Sequence, residues 1–156
     1  MGLFDYADYE RPGYVSAGAA TDYVFLKDLS AADWKKILSH AEIMHFGAGQ
    51  VLIQAGEVDN SFYVLSEGQV EVVLPDFGDV LATIQEGAVF GEMAFFDSLP
   101  RSATVRSRTA GAAIRLSRDG FTRLSGWDPA LARTIIFDLG KVLTLRLRAS
   151  NARFRS

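Results

Sequence analysis

The residues best suited to chemistry lie between Phe90 and Val105, in the run Phe-Gly-Glu-Met-Ala-Phe-Phe-Asp-Ser-Leu-Pro-Arg-Ser-Ala-Thr-Val. Gly91 and Glu92 open a short apolar segment, and Arg101 and Ser102 follow Pro100 just before a strand-like run. A glycine ahead of a helical turn leaves the first backbone N–H groups approachable, and such a terminus attracts anions. Arginine adds a planar, permanently charged fork that fits phosphate, and a serine hydroxyl can donate beside it. Glu92 would repel a bare phosphate. The conflict disappears if the ligand is a phosphorylated sugar, because a carboxylate can accept from ribose hydroxyls. An acid for a sugar, an arginine for a phosphate and an apolar surround together suggest a nucleotide.

At these residues the sequence resembles the phosphate-binding cassette of cyclic nucleotide-binding domains, F-G-E-[LM]-A followed after a short insert by P-R-[AST]-A-[TS]-V. Every cassette position is met, and the resemblance runs from about Phe25 to Leu147. It implies that Arg101 binds the cyclic phosphate and that Glu92 accepts from the ribose 2′-OH. Gly91, Met93 and Ala94 would give backbone N–H groups to sugar and phosphate oxygens. Ser102 and Ala103 bear on base choice: threonine after the arginine often accompanies cGMP recognition in the family, and alanine or serine is common in cAMP binders. The expected ligand is therefore cAMP, with cGMP the alternative. Read singly, Arg101 would be a surface arginine paired with Glu92 or Asp97, Glu92 a helix-start acid and Gly91 a turn glycine. Phe90 and Val105 read as core, and Phe95 and Phe96 as apolar anchors of the cassette helix.

The elements around the cassette follow from periodicity. Ser30 is an expected N-cap, with Asp33 in the first turn and Trp34, Ile37 and Leu38 as the apolar stripe. From Glu42 to Leu116 the period becomes two and glycine punctuates it. Phe62–Ser66 and Gln69–Leu74 flank Glu67-Gly68, which predicts a hairpin, and residues 75–79 predict a further turn. In the second of these strands Val70, Val72 and Leu74 alternate with Gln69, Glu71 and Val73, which predicts one buried face. Short, evenly spaced strands indicate a jelly-roll-like β barrel. The fold class is thus α+β, mainly β, with a helix before the barrel and helices after it. Ser117 caps a helix that Gly126 is expected to close, and Asp128-Pro129 opens a long one. Two overlapping stripes run down the long helix, Leu131, Ile135, Leu139, Val142 and Ala132, Ile136, Leu139, Leu143, with Gly140 an expected weak point. The second stripe implies contact with a ligand as a lid or with a second subunit in a homodimer. The family resemblance makes this helix the lid, with Leu139, Val142, Leu143, Arg146 and Leu147 as candidates over the base.

The chain has 156 residues, 49% hydrophobic, which suits one domain with a real core. Residues 1–24 carry Tyr6, Tyr9, Tyr14 and Tyr23 without a clean period and read as a loosely ordered arm, leaving 25–156 as the domain. Absent cysteine removes disulfides and thiol chemistry. The start lacks a signal-peptide pattern, and no stretch is long and apolar enough to span a bilayer, so a cytoplasmic protein without membrane insertion is expected. Net charge is −3, yet residues 1–100 hold 16 acids and 4 bases while 101–156 hold 3 and 12. Two parts folding against each other would interleave these charges. His40 and His45 lack the clustering of a cupin-like metal site, and no nucleophile–base motif, P-loop or dinucleotide fingerprint occurs. The expectation is a signalling module without catalysis, cofactor or metal, acting on a protein effector in trans. The alternatives are an interaction scaffold and a nucleic-acid binder built on Arg146, Arg148, Arg153 and Arg155.

Overall fold

The computed structural model describes residues 23–74 and 78–153, with side chains to residue 151. The tyrosine-rich arm before residue 23, the tip of the turn at 75–77 and the arginine at position 155 lie outside the described residues. Helix α1 spans Ala31–Leu38 and begins as its sequence predicts, the Ser30 hydroxyl accepting from the Asp33 N–H at 3.1 Å. Eight strands follow: β1 Glu42–Phe46, β2 Val51–Ile53, β3 Phe62–Glu67, β4 Val70–Val73, β5 Val80–Ile84, β6 Val89–Phe90, β7 Thr104–Ser107 and β8 Gly111–Leu116. Helix α2, Glu92–Asp97, sits between β6 and β7. Helices α3, Arg118–Trp127, and α4, Pro129–Arg153, close the order.

The strands form two antiparallel four-stranded sheets, β1-β8-β3-β6 and β2-β7-β4-β5. The fold is therefore the α+β sandwich of jelly-roll type that the sequence indicates, with helices at its flank. The hairpin expected at Glu67-Gly68 does not form. β3 pairs with β8 and β6, whereas β4 pairs with β5 and β7, so the chain crosses there from one sheet to the other. The backbone groups a tight hairpin would pair are bound elsewhere: the Gly68 N–H donates to the Glu86 carboxylate and the Gln69 N–H to the Thr109 hydroxyl. Gly68 has φ +90, and a Cβ there would stand 2.7 Å from the Ala110 carbonyl oxygen. Crossing sheets lets β3 and β4 bury apolar faces against each other, which side-by-side pairing would not do.

Two cores result. Tyr63, Leu65, Val70, Ile84, Phe90 and Val105 fill the space between the sheets. Phe62, Phe95, Leu116, Leu124, Ile135, Leu139 and Val142 pack the helices on the outer face of the first sheet. β3 is thus covered on both faces, with Phe62 and Val64 toward the helices and Tyr63 and Leu65 toward the second sheet. The one-faced alternation read for β4 is also interrupted. A register shift at Val72/Val73 buries both Val73 and Leu74, while Val72 is half-buried.

The helices depart from expectation at two glycines. Ser117 caps α3, accepting from the Gly120 N–H, but the helix passes through Gly126 and ends only at Asp128. Asp128 caps α4 through the Leu131 N–H at 3.0 Å and also binds the Lys36 ammonium at 2.9 Å. α4 runs unbroken past Gly140. Burial of Leu139 and Val142 on either side offsets the ~1 kcal/mol glycine cost. In the first stripe Leu131, Ile135, Leu139 and Val142 are all buried; in the second, Ile136 is exposed and Leu143 half-buried.

The charge asymmetry resolves into pairs that join the two parts of the chain. Asp59 meets Arg101 and Arg115, Glu71 meets Arg106 and Arg108, Glu42 meets Arg115, and Glu92 meets Arg146. Phe62 is central to the helix core, its ring edge-on to Phe25 at 5.7 Å and to Phe95 at 4.9 Å. Replacing Phe62 with alanine is expected to cost about 3–5 kcal/mol in a urea unfolding titration, and a loss below ~1 kcal/mol would show that this cluster does not hold the helices on the sheet.

Candidate functional site

Two irregular segments, held by backbone constraints, shape the site. β6 ends at Phe90, buried between the sheets and stacked on Tyr63 at 5.1 Å between centroids. Gly91 then turns the chain with φ +74 into α2. A Cβ at Gly91 would lie 2.9 Å from Arg101 Nη1 and 3.0 Å from the Ile53 side chain, so both the backbone angle and the space call for glycine. α2 has no side-chain N-cap, which leaves its first N–H groups without an intrahelical partner. Phe95 anchors α2 in the core, and the Arg118 guanidinium donates to the Phe95 carbonyl at 2.7 Å from α3. Phe96, expected as a second anchor, is 39% exposed: it lies on the outer side of a helix with only one face against the core.

α2, β6 and the start of β7 line a cleft of about 290 Å³, near the lower end of the ~300–1,000 Å³ usual for small-molecule sites. Gly91, Glu92, Met93, Ala94, Arg101, Ser102 and Ala103 all line it, as do Phe90 and Val105 from the core. Its apolar wall is Ile53, Val72, Ile84 and Val105, and Leu99 stands at the rim. Of the lid candidates only Arg146 reaches this cleft. Leu139 and Val142 are buried in the helix core, and Leu143 and Leu147 are half-buried without lining the cleft. Among the described residues no group of three or more His, Cys, Asp or Glu side chains is arranged to hold a metal ion. His40 instead holds the Lys36 carbonyl through Nδ1 at 3.0 Å.

Arg101 is buried, 6% exposed, and is not paired with Glu92 or Asp97. Its Nη1 donates to the Gly91 carbonyl at 2.6 Å, and its Nη2 to the Ser61 carbonyl at 2.7 Å and Asp59 Oδ2 at 3.1 Å. Its backbone is pinned as well: the Arg101 N–H donates to the Glu57 carbonyl, and the Gly56 N–H to the Arg101 carbonyl, both at 2.8 Å. Asp59 was not identifiable from the sequence. It lies 42 positions from Arg101 in an irregular segment before β3, where no periodicity or motif marks it. It also accepts from the Tyr63 hydroxyl, the Ser61 N–H and Arg115. Burial raises the Asp59 carboxyl, but the hydrogen bonds from Ser61, Tyr63 and Arg101 and the Arg115 charge outweigh it and hold it at about 2.

Glu92 is fully buried at the first position of α2. One carboxylate oxygen accepts from Arg146 Nη1, brought by the C-terminal half of α4. Arg146 Nη2 also donates to the Val89 carbonyl at 3.2 Å. Among the described residues the other Glu92 oxygen, Oε2, has no hydrogen-bond partner, and neither do Arg101 Nε and the Ser61 hydroxyl. An unsatisfied buried polar atom costs about 1–3 kcal/mol, and such atoms cluster where a site is built for something other than stability. The cleft is thus lined by an acid and a guanidinium, each with a buried polar atom that lacks a partner among the described residues, and by an apolar wall. That combination suits a ligand with hydroxyls, an anionic group and a flat apolar part.

Two measurements follow from these charges. Because the Asp59 carboxyl is held below its ordinary 3.8, its ionised form stabilises the fold above about pH 4, and that contribution is lost as pH falls toward 2. Asp59→Asn is therefore expected to be less stable by about 1–2 kcal/mol at pH 7, with the gap to the parent closing between pH 4 and 2; a gap constant with pH would show that this carboxylate is not what Arg101 and Arg115 lean on. Arg146→Ala leaves the Glu92 charge buried alone and is expected to cost about 2–4 kcal/mol in urea unfolding. Adding Glu92→Gln should restore part of that loss, whereas strictly additive effects would mean that the pair is not coupled.

Comparison with known proteins bears on this site. Residues 43–126, more than half of the chain, match the family described as "Cyclic nucleotide-binding domain". The chain is 34% identical over 101 residues to the cAMP-dependent protein kinase regulatory subunit of Emericella nidulans, which covers 65% of this chain and 24% of that protein. It is also 34% identical over 132 residues to Glutaminase 2 of Bradyrhizobium diazoefficiens, covering 85% of this chain and 21% of that protein. The chain thus spans about a quarter or less of these relatives. Among solved structures, a cyclic nucleotide-binding domain from Methylobacillus flagellatus superposes with a TM-score of 0.73 at 24% identity, over 90% of this chain and 81% of that one. The catabolite activator protein of Thermus thermophilus superposes at 0.71 and 22% identity, over 83% and 60%. The cassette, the two-sheet sandwich and these matches agree: the chain belongs to the cyclic nucleotide-binding domain family.

Proposed function

We propose that this domain binds cAMP in preference to cGMP in the α2–β7 cleft and passes the binding state on through α4. The single observation that carries the reading is the pairing, in one apolar cleft, of a buried carboxylate and a buried guanidinium that each keep an unsatisfied atom. Glu92 Oε2 is the acceptor for a ribose hydroxyl, and Arg101 is the cation for the cyclic phosphate. The N–H groups of α2 at Met93 and Ala94 supplement them. Ser102, with Ala103 beside it, supports adenine over guanine, as does the name cAMP-dependent protein kinase regulatory subunit borne by relatives at 34% identity.

α4 is the transmitting element in this reading because Arg146 shares the Glu92 carboxylate with the ligand. A ligand shifts an equilibrium only through contacts that differ between states. Any ribose that draws on Glu92 changes the contact tying α4 to the cleft. Residues 25–156 act together as the binding unit, and the output goes to a protein effector. The regulatory-subunit relatives support a binding role without catalysis. The glutaminase relative resembles this chain over 21% of its own length, which fits a regulatory module shared between different effectors.

Calorimetric titration of cAMP and cGMP tests the reading. cAMP is expected to bind more tightly, and Arg101→Ala to weaken it by about 2–5 kcal/mol. A 2′-deoxy cyclic nucleotide should lose about 1–3 kcal/mol, the cost of leaving the Glu92 oxygen unpaired. Equal affinity of the Arg101 variant, or no cyclic nucleotide binding at all, would leave the fold without this function and return the scaffold alternative.

A further inference from the structure

Helices shorter than about 12 residues are marginal in water and take their position from what packs on them. α2 has six residues, and its tail is poorly suited to stand alone. The last turn carries Asp97 and no base, so an acid meets the negative end of the helix dipole. The chain leaves through Ser98 in a left-handed conformation, φ +56, and the Ser98 N–H donates to the Ala94 carbonyl at 2.9 Å. The next carbonyl, that of Phe95, accepts from Arg118 Nη1 at 2.7 Å. The same guanidinium lies over the Phe95 ring, 5.7 Å from its centroid. Phe121, one turn further along α3, meets that ring edge-on at 5.4 Å. Arg118 is an exposed residue and, among the described residues, makes no ion pair.

We infer that Arg118 is a positioning residue of the binding cleft: from the first turn of α3 it holds the tail of α2 and so keeps Glu92, at the head of the same helix, in place. The inference rests on the cyclic-nucleotide reading of the cleft. α2 has a charged tie at each end. Arg146 grips its head through Glu92, and Arg118 grips its tail through Phe95. A ligand acts differently on the two. A ribose hydroxyl on Glu92 draws on the tie to Arg146, whereas Phe95 does not line the cleft, so the tie to Arg118 stays when the other changes. Phe95 lies within one helical turn of Glu92, and a shift of the tail is carried to the carboxylate. The Arg118 charge also offsets the negative end of a helix whose own last turn supplies no base. Ser117 fixes the start of α3 by accepting from the Gly120 N–H, so Arg118 projects from a capped turn.

The test uses the full chain and calorimetric titration of cAMP and 2′-deoxy-cAMP. R118M keeps a long apolar side chain against the Phe95 ring and removes the charge and the donor. It is expected to weaken cAMP about five- to tenfold, the scale of one lost hydrogen bond. It should leave 2′-deoxy-cAMP within about twofold of the parent, because that ligand has no hydroxyl for Glu92. R118K, with a charge but a donor of different geometry, should weaken cAMP only about two- to threefold, with the same split between the ligands; that split decides the matter if R118M does not fold. Equal losses for the two ligands would mean a general loosening of the cleft and would overturn the inference, as would unchanged cAMP affinity. Hydrogen exchange reads the hold on α2 without nucleotide. R118M should speed exchange of the α2 amides about fivefold while β4 and β8 stay unchanged, and unaltered α2 exchange would also overturn the inference. A parent that binds neither ligand removes the reading of the cleft and any role for Arg118 in binding. A parent that binds cAMP beside an R118M that binds it equally well removes this inference alone.

Discussion

A carboxylate shut away from water at the head of a six-residue helix is the constraint on which this structure turns. Glu92 sits where β6 ends and α2 starts, with core packing on two sides, and its charge needs a cation. Arg146 supplies it from the far half of a 25-residue helix. The position of α4 is thereby tied to a single residue of the cleft. Hydrophobic packing at Leu131, Ile135, Leu139 and Val142 places the helix against the sheet, but packing is nondirectional and tolerates sliding. The Glu92–Arg146 contact ties the distal half of the helix to the cleft, through a carboxylate whose other oxygen has no partner among the described residues.

The second charged group of the cleft is held by a different device. Arg101 is fixed by three carbonyl or carboxylate acceptors from two segments, Gly91 after β6 and Asp59 and Ser61 before β3. Asp59 in turn joins Arg115 and the Tyr63 hydroxyl, so the cleft is wired into the middle strands of the first sheet. An arginine held by two neutral carbonyls and one shared carboxylate keeps part of its positive character. A dedicated one-to-one ion pair would have neutralised it. This arrangement explains why a buried guanidinium is tolerated here.

Local rules were legible where a short stretch decides its own conformation. The caps at Ser30, Ser117 and Asp128 were readable because a side chain three residues from an unpaired N–H satisfies it whatever the rest of the chain does. The cassette was readable because its glycine, acid and arginine lie within eleven residues. The seven positions it named line one cleft. The Glu67-Gly68 turn misled for the opposite reason. A glycine with positive φ between two alternating strands fits a hairpin and a crossover equally well, and only the pairing of β3 with β8 distinguishes them. Gly126 and Gly140 misled because a glycine weakens a helix by an amount that buried neighbours can offset.

By itself, then, the sequence determined the fold class, the helix starts and the cassette with its acid and its arginine. These rest on residues close together along the chain. The tertiary structure alone decided which partners those charges take: Asp59 for Arg101 and Arg146 for Glu92, at separations of 42 and 54 positions. It also decided that β3 is buried on both faces and that one of five candidate side chains on the long helix reaches the cleft. The physical reason is that a buried charge must be matched somewhere, which composition can require, but the match is made through space, by elements whose relative placement depends on the packing of the whole domain.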